Sequence, residues 1–457
     1  MKQRRSSLNS IASLFQMAVP MAIIWAMIGA GVTPSAPASA PAGLGNGYWH
    51  TSGSQILDAS NTPVRIAGLN WYGFETVRQV PAGLDVQDYK AILQTIRANG
   101  YNTVRLPLSN QMVESPIIPT NISFTGQNHR AINTELRGLN SLQILDHIVA
   151  AAEEAGLKVI LDNHRSDSGD GPQGTGLWYT PAYPESAWIA DWTRLANRYR
   201  NDPTVIGFDL RNEPHNADSG GACWSCGGAN DWHLAAQRAG NAVLETNPRL
   251  LIFVEGTDGF ENDYYWWGGN LEGVASAPVR LSIPNRLVYS AHDYGPAETG
   301  QPWLTASATT ESLNAVWTRH WAYISQQNIA PVWLGEFGAE KQHHDDATPT
   351  EALQEKWFHS LVQFLGDDHR IGWTYWAVNA DDRYGIMNDS YDGLAWDPAK
   401  QEALAAIQFP LGLQSDEAGT GTRPSTRYGP SLGPRYPKAH SNVIVAASGQ
   451  PGEPIHQ

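Results

Sequence analysis

Cysteine is scarce in this chain, with two among 457 residues, Cys223 and Cys226, in a single Cys-Trp-Ser-Cys run. No second pair and no clustered Cys/His set completes a zinc site, so metal stapling is excluded as the basis of the fold. Basic residues are also few, 30 against 45 acidic ones, giving a formal net charge of −15. A chain with no basic face to neutralise phosphates is a poor nucleic-acid binder. The same balance suits a soluble, exported protein facing an uncharged polymer.

A glycine-rich phosphate loop is missing as well. The first apolar segment, 64–70, runs into Asn70-Trp-Tyr-Gly-Phe-Glu75, which has none of the glycine spacing of a dinucleotide-binding turn. An open doubly wound sheet is therefore disfavoured.

The two ends of the chain read differently from its middle. Lys2, Arg4 and Arg5 precede an apolar run over 11–32 and the small-residue exit Ser35-Ala-Pro-Ala-Ser-Ala40. That order describes a secretory signal peptide over residues 1–40, with an uncleaved membrane anchor as the other reading of the same run. From 411 to 457 Gly, Pro, Ser and Thr dominate without periodicity, which predicts a disordered tail or linker. For an exported protein, the expected state of Cys223 and Cys226 is a short disulfide stiffening its loop.

Between the ends, over 41–410, apolar strands of four to eight residues recur at 64–70, 103–108, 158–163, 205–210, 250–255, 287–292, 332–336 and 371–377. Helical spacing of apolar residues fills the gaps at 88–97, 142–156, 186–199, 232–246, 313–327 and 350–365, with Asn99-Gly100 and Gly156 as stops. Eight strands alternating with helices predict an α/β fold, a (β/α)₈ TIM barrel with long βα loops. A small hairpin or lid at 47–58 precedes it. The 18 tryptophans and 17 tyrosines fit both a large aromatic core and stacking surfaces for sugar rings.

In such a barrel the chemistry sits where strands end. Val205-Ile-Gly-Phe-Asp-Leu-Arg-Asn-Glu-Pro214 is apolar until it delivers Arg211, Asn212 and Glu213, and Pro214 then halts the ladder. Val332-Trp-Leu-Gly-Glu-Phe-Gly338 delivers Glu336 in the same way. Two strand-end glutamates are the equipment for double displacement at a glycosidic carbon, one protonated and one ionised. The other strand ends supply Asn70 and Trp71, Arg105, His164, His292 and Tyr294, and Trp376.

This set, with Asn-Glu-Pro at 212–214 and Gly-Glu-Phe-Gly at 335–338, resembles glycoside hydrolase family five of clan A over residues 47–410. Leu177-Trp-Tyr-Thr180 and Trp266-Trp-Gly-Gly-Asn270 look most like the bacterial endo-β-1,4-glucanases of that family. The resemblance implies that Glu213 is the acid/base and Glu336 the nucleophile, with Arg105 and Tyr294 keeping Glu336 ionised. It implies substrate contacts from Asn212, His164, His292 and Trp376, together with Trp71, Trp178, Trp266 and Trp267. It further implies a β-1,4-glucan or cello-oligosaccharide substrate, no cofactor or metal, a monomer, and an extracellular location. A β-mannanase of the same clan is the nearest alternative. A metal-dependent barrel hydrolase using His164, His292 and Asp293, or a binding protein without catalysis, are the readings from other classes. His343-His-Asp-Asp346 is read as a solvated loop rather than a metal site, and Asn121-Ile-Ser123 as a glycosylation pattern without consequence.

Overall fold

The structure, a computed structural model, describes residues 44–217, 220–340, 348–388 and 390–409. The leader, the Gly/Pro/Ser-rich tail and His343-His-Asp-Asp346 lie outside the described residues.

The described residues open with three short antiparallel strands, β1 (His50–Ser52), β2 (Gln55–Leu57) and β3 (Pro63–Val64). Then come β4 (Ala67–Asn70), β5 (Thr103–Ser109), β6 (Lys158–Arg165), β7 (Val205–Asp209) and β8 (Leu251–Glu255). After a small hairpin, β9 (Gly259–Phe260) with β10 (Asp263–Tyr264), follow β11 (Leu287–His292), β12 (Val332–Glu336) and β13 (Gly372–Tyr375). Strands β4 to β8 and β11 to β13 are parallel and close on themselves in chain order, β13 returning to β4. This is the expected eight-stranded barrel.

Helices wrap the outside where the sequence period is helical. Ser141–Ala155 starts on a capping box between Asn140 and Gln143 and stops on Gly156 at φ +77°. Pro349–Asp367 is begun by a second capping box, Thr348 with Glu351. The expected helix 313–327 forms as Thr310–Trp317 and Tyr323–Gln326 joined by a π turn over Thr318–Ala322.

The barrel strands alternate between two environments, as a period of two requires, with the alternation shifted by one residue at irregularities in β7 and β12. Val104, Leu106, Val159, Leu161, Val254, Leu334 and Trp373 face the helices in the main core. The inward residues change character along the strands. Near the strand starts they are Ile66, Ile160, Ile206, Leu251, Phe253, Val288 and Trp333, packed with Trp49, Ile56 and Val64 of the N-terminal segment. Near the strand ends they are Asn70, Arg105, Asp162, Asp209, Glu255, His292 and Glu336, all buried. The barrel interior is thus apolar at one end and charged at the other.

Two expectations are corrected here. The segment 64–70 is two strands, because Val64 pairs with β2 while the barrel ladder begins at Ala67. Arg65 between them is buried and donates to the carbonyls of Leu365, Ile371 and Ile407. The hairpin at 47–58 is no lid over the strand ends. With β3 it forms a plug under the barrel floor, tied there by Thr51 N–H to Asn285 O and by Lys158 Nζ to Gly47 O. The disulfide between Cys223 and Cys226 is present in the loop after β7.

Candidate active site

Arg105, fully buried on β5, is the hub of the strand-end layer. Its Nη1 donates to Glu336 Oε1 at 2.5 Å and to Asn70 Oδ1 at 3.0 Å. Its Nη2 donates to Asn212 Oδ1 at 3.0 Å and lies 3.2 Å from Asp162 and 3.4 Å from Glu255, while Nε reaches Asp209 at 3.0 Å. One guanidinium therefore meets six side chains from strands spread around the barrel. Only arginine offers five fixed donors for such a task.

Glu213 and Glu336 face each other across His292. The His292 Nδ1 is 3.1 Å from Glu213 Oε1 and 3.7 Å from Glu336 Oε2, and the three ligand atoms lie within 4.8 Å of one another. The two carboxyl groups are held in different states. Burial pushes Glu213 up to about 7, the negative charge of Glu336 adding to that and the His292 hydrogen bond opposing it. Burial would raise Glu336 too, but the charges of His292 and Arg105 and the Tyr294 hydroxyl at 2.9 Å outweigh it, and Glu336 stays below the usual carboxylate range. An acid that keeps its proton near neutrality thus stands opposite a carboxylate that has lost it.

Around this pair the expected residues divide. Asn212 spends its Oδ1 on Arg105 and leaves its buried Nδ2 without a protein acceptor. His164 is held by Asp162 at 2.7 Å and lies 5.5 Å from the Trp376 ring, which is stacked on Tyr72 at 5.1 Å. Trp266 sets its edge against Tyr294, and Trp267, 43% exposed, stacks on His215 at 3.7 Å. Trp71 and Trp178 are corrected to packing residues, since both are fully buried. Trp71 donates its indole N–H to Ala82 O, and Trp178 sits among Trp188 and Trp232 with its N–H on Glu185. Asp293, offered as a metal ligand, points away from the two histidines, accepting from Trp357 Nε1 at 2.7 Å and from the Tyr265 hydroxyl.

Sequence reading missed the second ring of carboxyl groups. Burial pushes Asp162 and Asp209 up to about 7 and raises Glu255 as well, against the pull of Arg105 and, at Glu255, first of His292. The available signal was the period of two at Asp162 and Glu255, each two residues beyond an inward-facing neighbour, Ile160 and Phe253, whereas Asp209 lies three from Ile206 across an irregularity in β7. Among the described residues, ligand-type atoms converge at Asp209, Glu255 and His292, at Glu213, His292 and Glu336, and at Asp263, Glu272 and His320. In the first two Arg105 already meets Asp209, Glu255 and Glu336, and in the third Arg319 lies against Asp263 and, at 2.7 Å, Glu272. Arginine supplies the positive charge in each.

Comparison with known proteins agrees with this geometry. The sequence pattern of the family described as Cellulase (glycosyl hydrolase family 5) matches residues 57–382. An endoglucanase of Paenibacillus polymyxa is 45% identical over 381 residues, covering 82% of this chain and 90% of the relative. The major extracellular endoglucanase of Xanthomonas campestris is 35% identical, covering 80% of this chain and 72% of the relative. Among solved structures, an endocellulase variant of Pyrococcus horikoshii in complex with cellotetraose superposes with a TM-score of 0.71 at 33% identity, covering 80% of this chain and 100% of that one. A (β/α)₈ barrel carrying Asn-Glu-Pro and Gly-Glu-Phe-Gly at two strand ends, matched over most of its length, makes this chain a member of glycosyl hydrolase family 5.

Proposed function

We propose that the chain is a secreted, retaining endo-β-1,4-glucanase. The observation that carries this reading is the approach of Glu213 and Glu336 to within 4.8 Å through His292. That spacing supports direct attack on the sugar, because inverting enzymes need room between their carboxyl groups for a water. In the first step Glu336 bonds to the anomeric carbon while Glu213 gives its proton to the departing glycosidic oxygen. In the second Glu213 takes a proton from water, the water oxygen attacks the same carbon, and Glu336 leaves. Arg105 and Tyr294 hold the charge of Glu336, and Asn212 Nδ2 donates to the oxygen of the sugar 2-hydroxyl, a bond that tightens as the oxocarbenium character grows. His164 and His292 orient their neighbours, Trp376 forms a sugar platform, and Trp266 and Trp267 extend it.

Residues 41–410 are read as the catalytic unit, 1–40 as a leader removed on export and 411–457 as a tail. Relatives described as endoglucanases, one of them extracellular, support the substrate and the location. Among the described residues no helix is long and apolar enough to cross a membrane. The enzyme is taken to act as a monomer on glucan chains without a cofactor.

Reducing-sugar release from carboxymethylcellulose against galactomannan tests the assignment, with Glu336→Gln as the control. Activity on the glucan that is lost in the variant and indifferent to a chelator is expected. Activity confined to galactomannan would replace the glucanase by a mannanase, and chelator-sensitive turnover surviving Glu336→Gln would overturn the double displacement.

A further inference from the structure

The backbone of Glu213 is unusual: it lies at φ +48°, the left-handed region that side chains with a Cβ rarely adopt. Something must hold it there. Its N–H donates to Glu255 Oε2 at 2.7 Å, and Gly268 closes over the same oxygen. A Cβ on Gly268 would stand 2.1 Å from Glu255 Oε2 and 3.2 Å from Glu213 Cα, so only glycine, here at φ +68°, lets the loop after β10 seal this corner. The other oxygen of the same carboxyl group, Oε1, lies 3.2 Å from His292 Nε2 and 3.4 Å from Arg105 Nη2. The opposite nitrogen of that imidazole, Nδ1, faces Glu213 Oε1 at 3.1 Å. Glu255 thus touches Glu213 twice, through its backbone and through the ring beside its carboxyl group.

We propose that Glu255 is a positioning residue for the acid/base Glu213, fixing both its backbone and the proton it shares with His292. This deepens the glucanase reading and rests on it. The chemistry follows from what each atom can do. Glu255 Oε1 is an acceptor 3.2 Å from Nε2, which forms no hydrogen bond elsewhere, so its charge favours a proton on that nitrogen. Nδ1 is then the side of the ring that exchanges a proton with Glu213. The groups facing this corner are Arg105 on β5, Asp209 on β7, Glu255 on β8, His292 on β11 and Glu336 on β12. Both Glu255 oxygens face donors, Glu213 N–H on one side and His292 Nε2 and Arg105 Nη2 on the other, so it sits here as an anion, and a negative neighbour delays loss of a proton from either holder. An amide at residue 255 removes that charge. Its NH₂, when turned to Nε2, forces the tautomer with Nδ1–H, which donates to Glu213 and favours its ionised form. The acid then loses its proton at lower pH.

The test compares wild type, Glu255→Gln and Glu213→Gln on two aryl cellobiosides, one with a dinitrophenyl and one with an unactivated phenyl leaving group. An activated leaving group needs little acid assistance. Glu255→Gln should therefore lose at least tenfold more kcat/KM on the phenyl substrate than on the dinitrophenyl one. The basic limb of its pH profile should also move down by about one pH unit. The ratio of the two substrates is independent of how much of the variant is folded, so partial misfolding cannot mimic the result. Gly268→Ala, which crowds the same oxygen without altering its charge, should show the leaving-group effect too. Equal losses on both substrates, or no loss, with an unmoved basic limb would overturn the role of Glu255. Failure of wild type to turn over either cellobioside would instead overturn the glucanase reading.

Discussion

Replacing Tyr294 by phenylalanine removes one oxygen and keeps the ring that Trp266 and Tyr384 pack against. The lost O–H donates to Glu336 Oε2 at 2.9 Å, leaving Arg105 as the direct donor to that carboxylate. A hydrogen bond to a charged group contributes about 1.5–3 kcal/mol. At 1.36 kcal/mol per pKa unit, the carboxylate should become easier to protonate by about 1–2 units. The sign follows from the direction of the shift. Glu336 is held below its ordinary value, so it is ionised above that point, and removing a donor raises the point. The acid limb of kcat/KM against pH, measured on a soluble cello-oligosaccharide, should move upward by that amount. Activity near pH 4.5 should fall more than activity near pH 7. A uniform loss at every pH, with the acid limb where it was, would refute the claim that Tyr294 acts by holding charge on Glu336.

Four further outcomes are expected. Glu213→Gln should accumulate a covalent adduct from a dinitrophenyl cellobioside, seen as added mass on the intact protein, and its absence would sink the acid/base assignment. Trp178→Ala should cost about 3–5 kcal/mol of unfolding free energy with KM little changed, whereas Trp267→Ala should raise KM and leave the urea midpoint alone. Asp162 and Asp209, raised to about 7, keep protons in the fold that the unfolded chain releases near ordinary carboxylate values. Their stabilising contribution is full below about pH 4 and is lost progressively as pH rises to about 7, so the melting temperature should fall between pH 5 and pH 7, and a flat profile would contradict it. Serine at both Cys223 and Cys226 should lower stability by only about 2 kcal/mol, because the loop closed between them is short, and calorimetry measures it.

The barrel and its catalytic pair were legible because two local signals coincide there. Runs such as 332–336 are apolar for the buried strand and then turn polar at the rim, and the turn marks the site. What stayed hidden depends on tertiary context. Asp209 sits mid-run in 205–210 and Glu255 closes 250–255, and nothing nearby in sequence says that both point at Arg105. Trp71 and Trp178 share their composition with Trp376, but being buried or lining a cleft is decided by which loop covers them. Val64 belongs by pattern to β4, and only the plug under the floor claims it for β3. The tautomer of His292 and the backbone of Glu213 are likewise set by a residue 42 positions from Glu213.

Because the plug occupies the end of the barrel away from the glutamates, the molecule has a natural back. Gln55, exposed on β2, is a place to tether the enzyme to a bead or a carrier with its open side turned toward an insoluble fibre. Attachment at Tyr264 on the hairpin, also exposed, would crowd the loop that carries Trp266 and Trp267 instead.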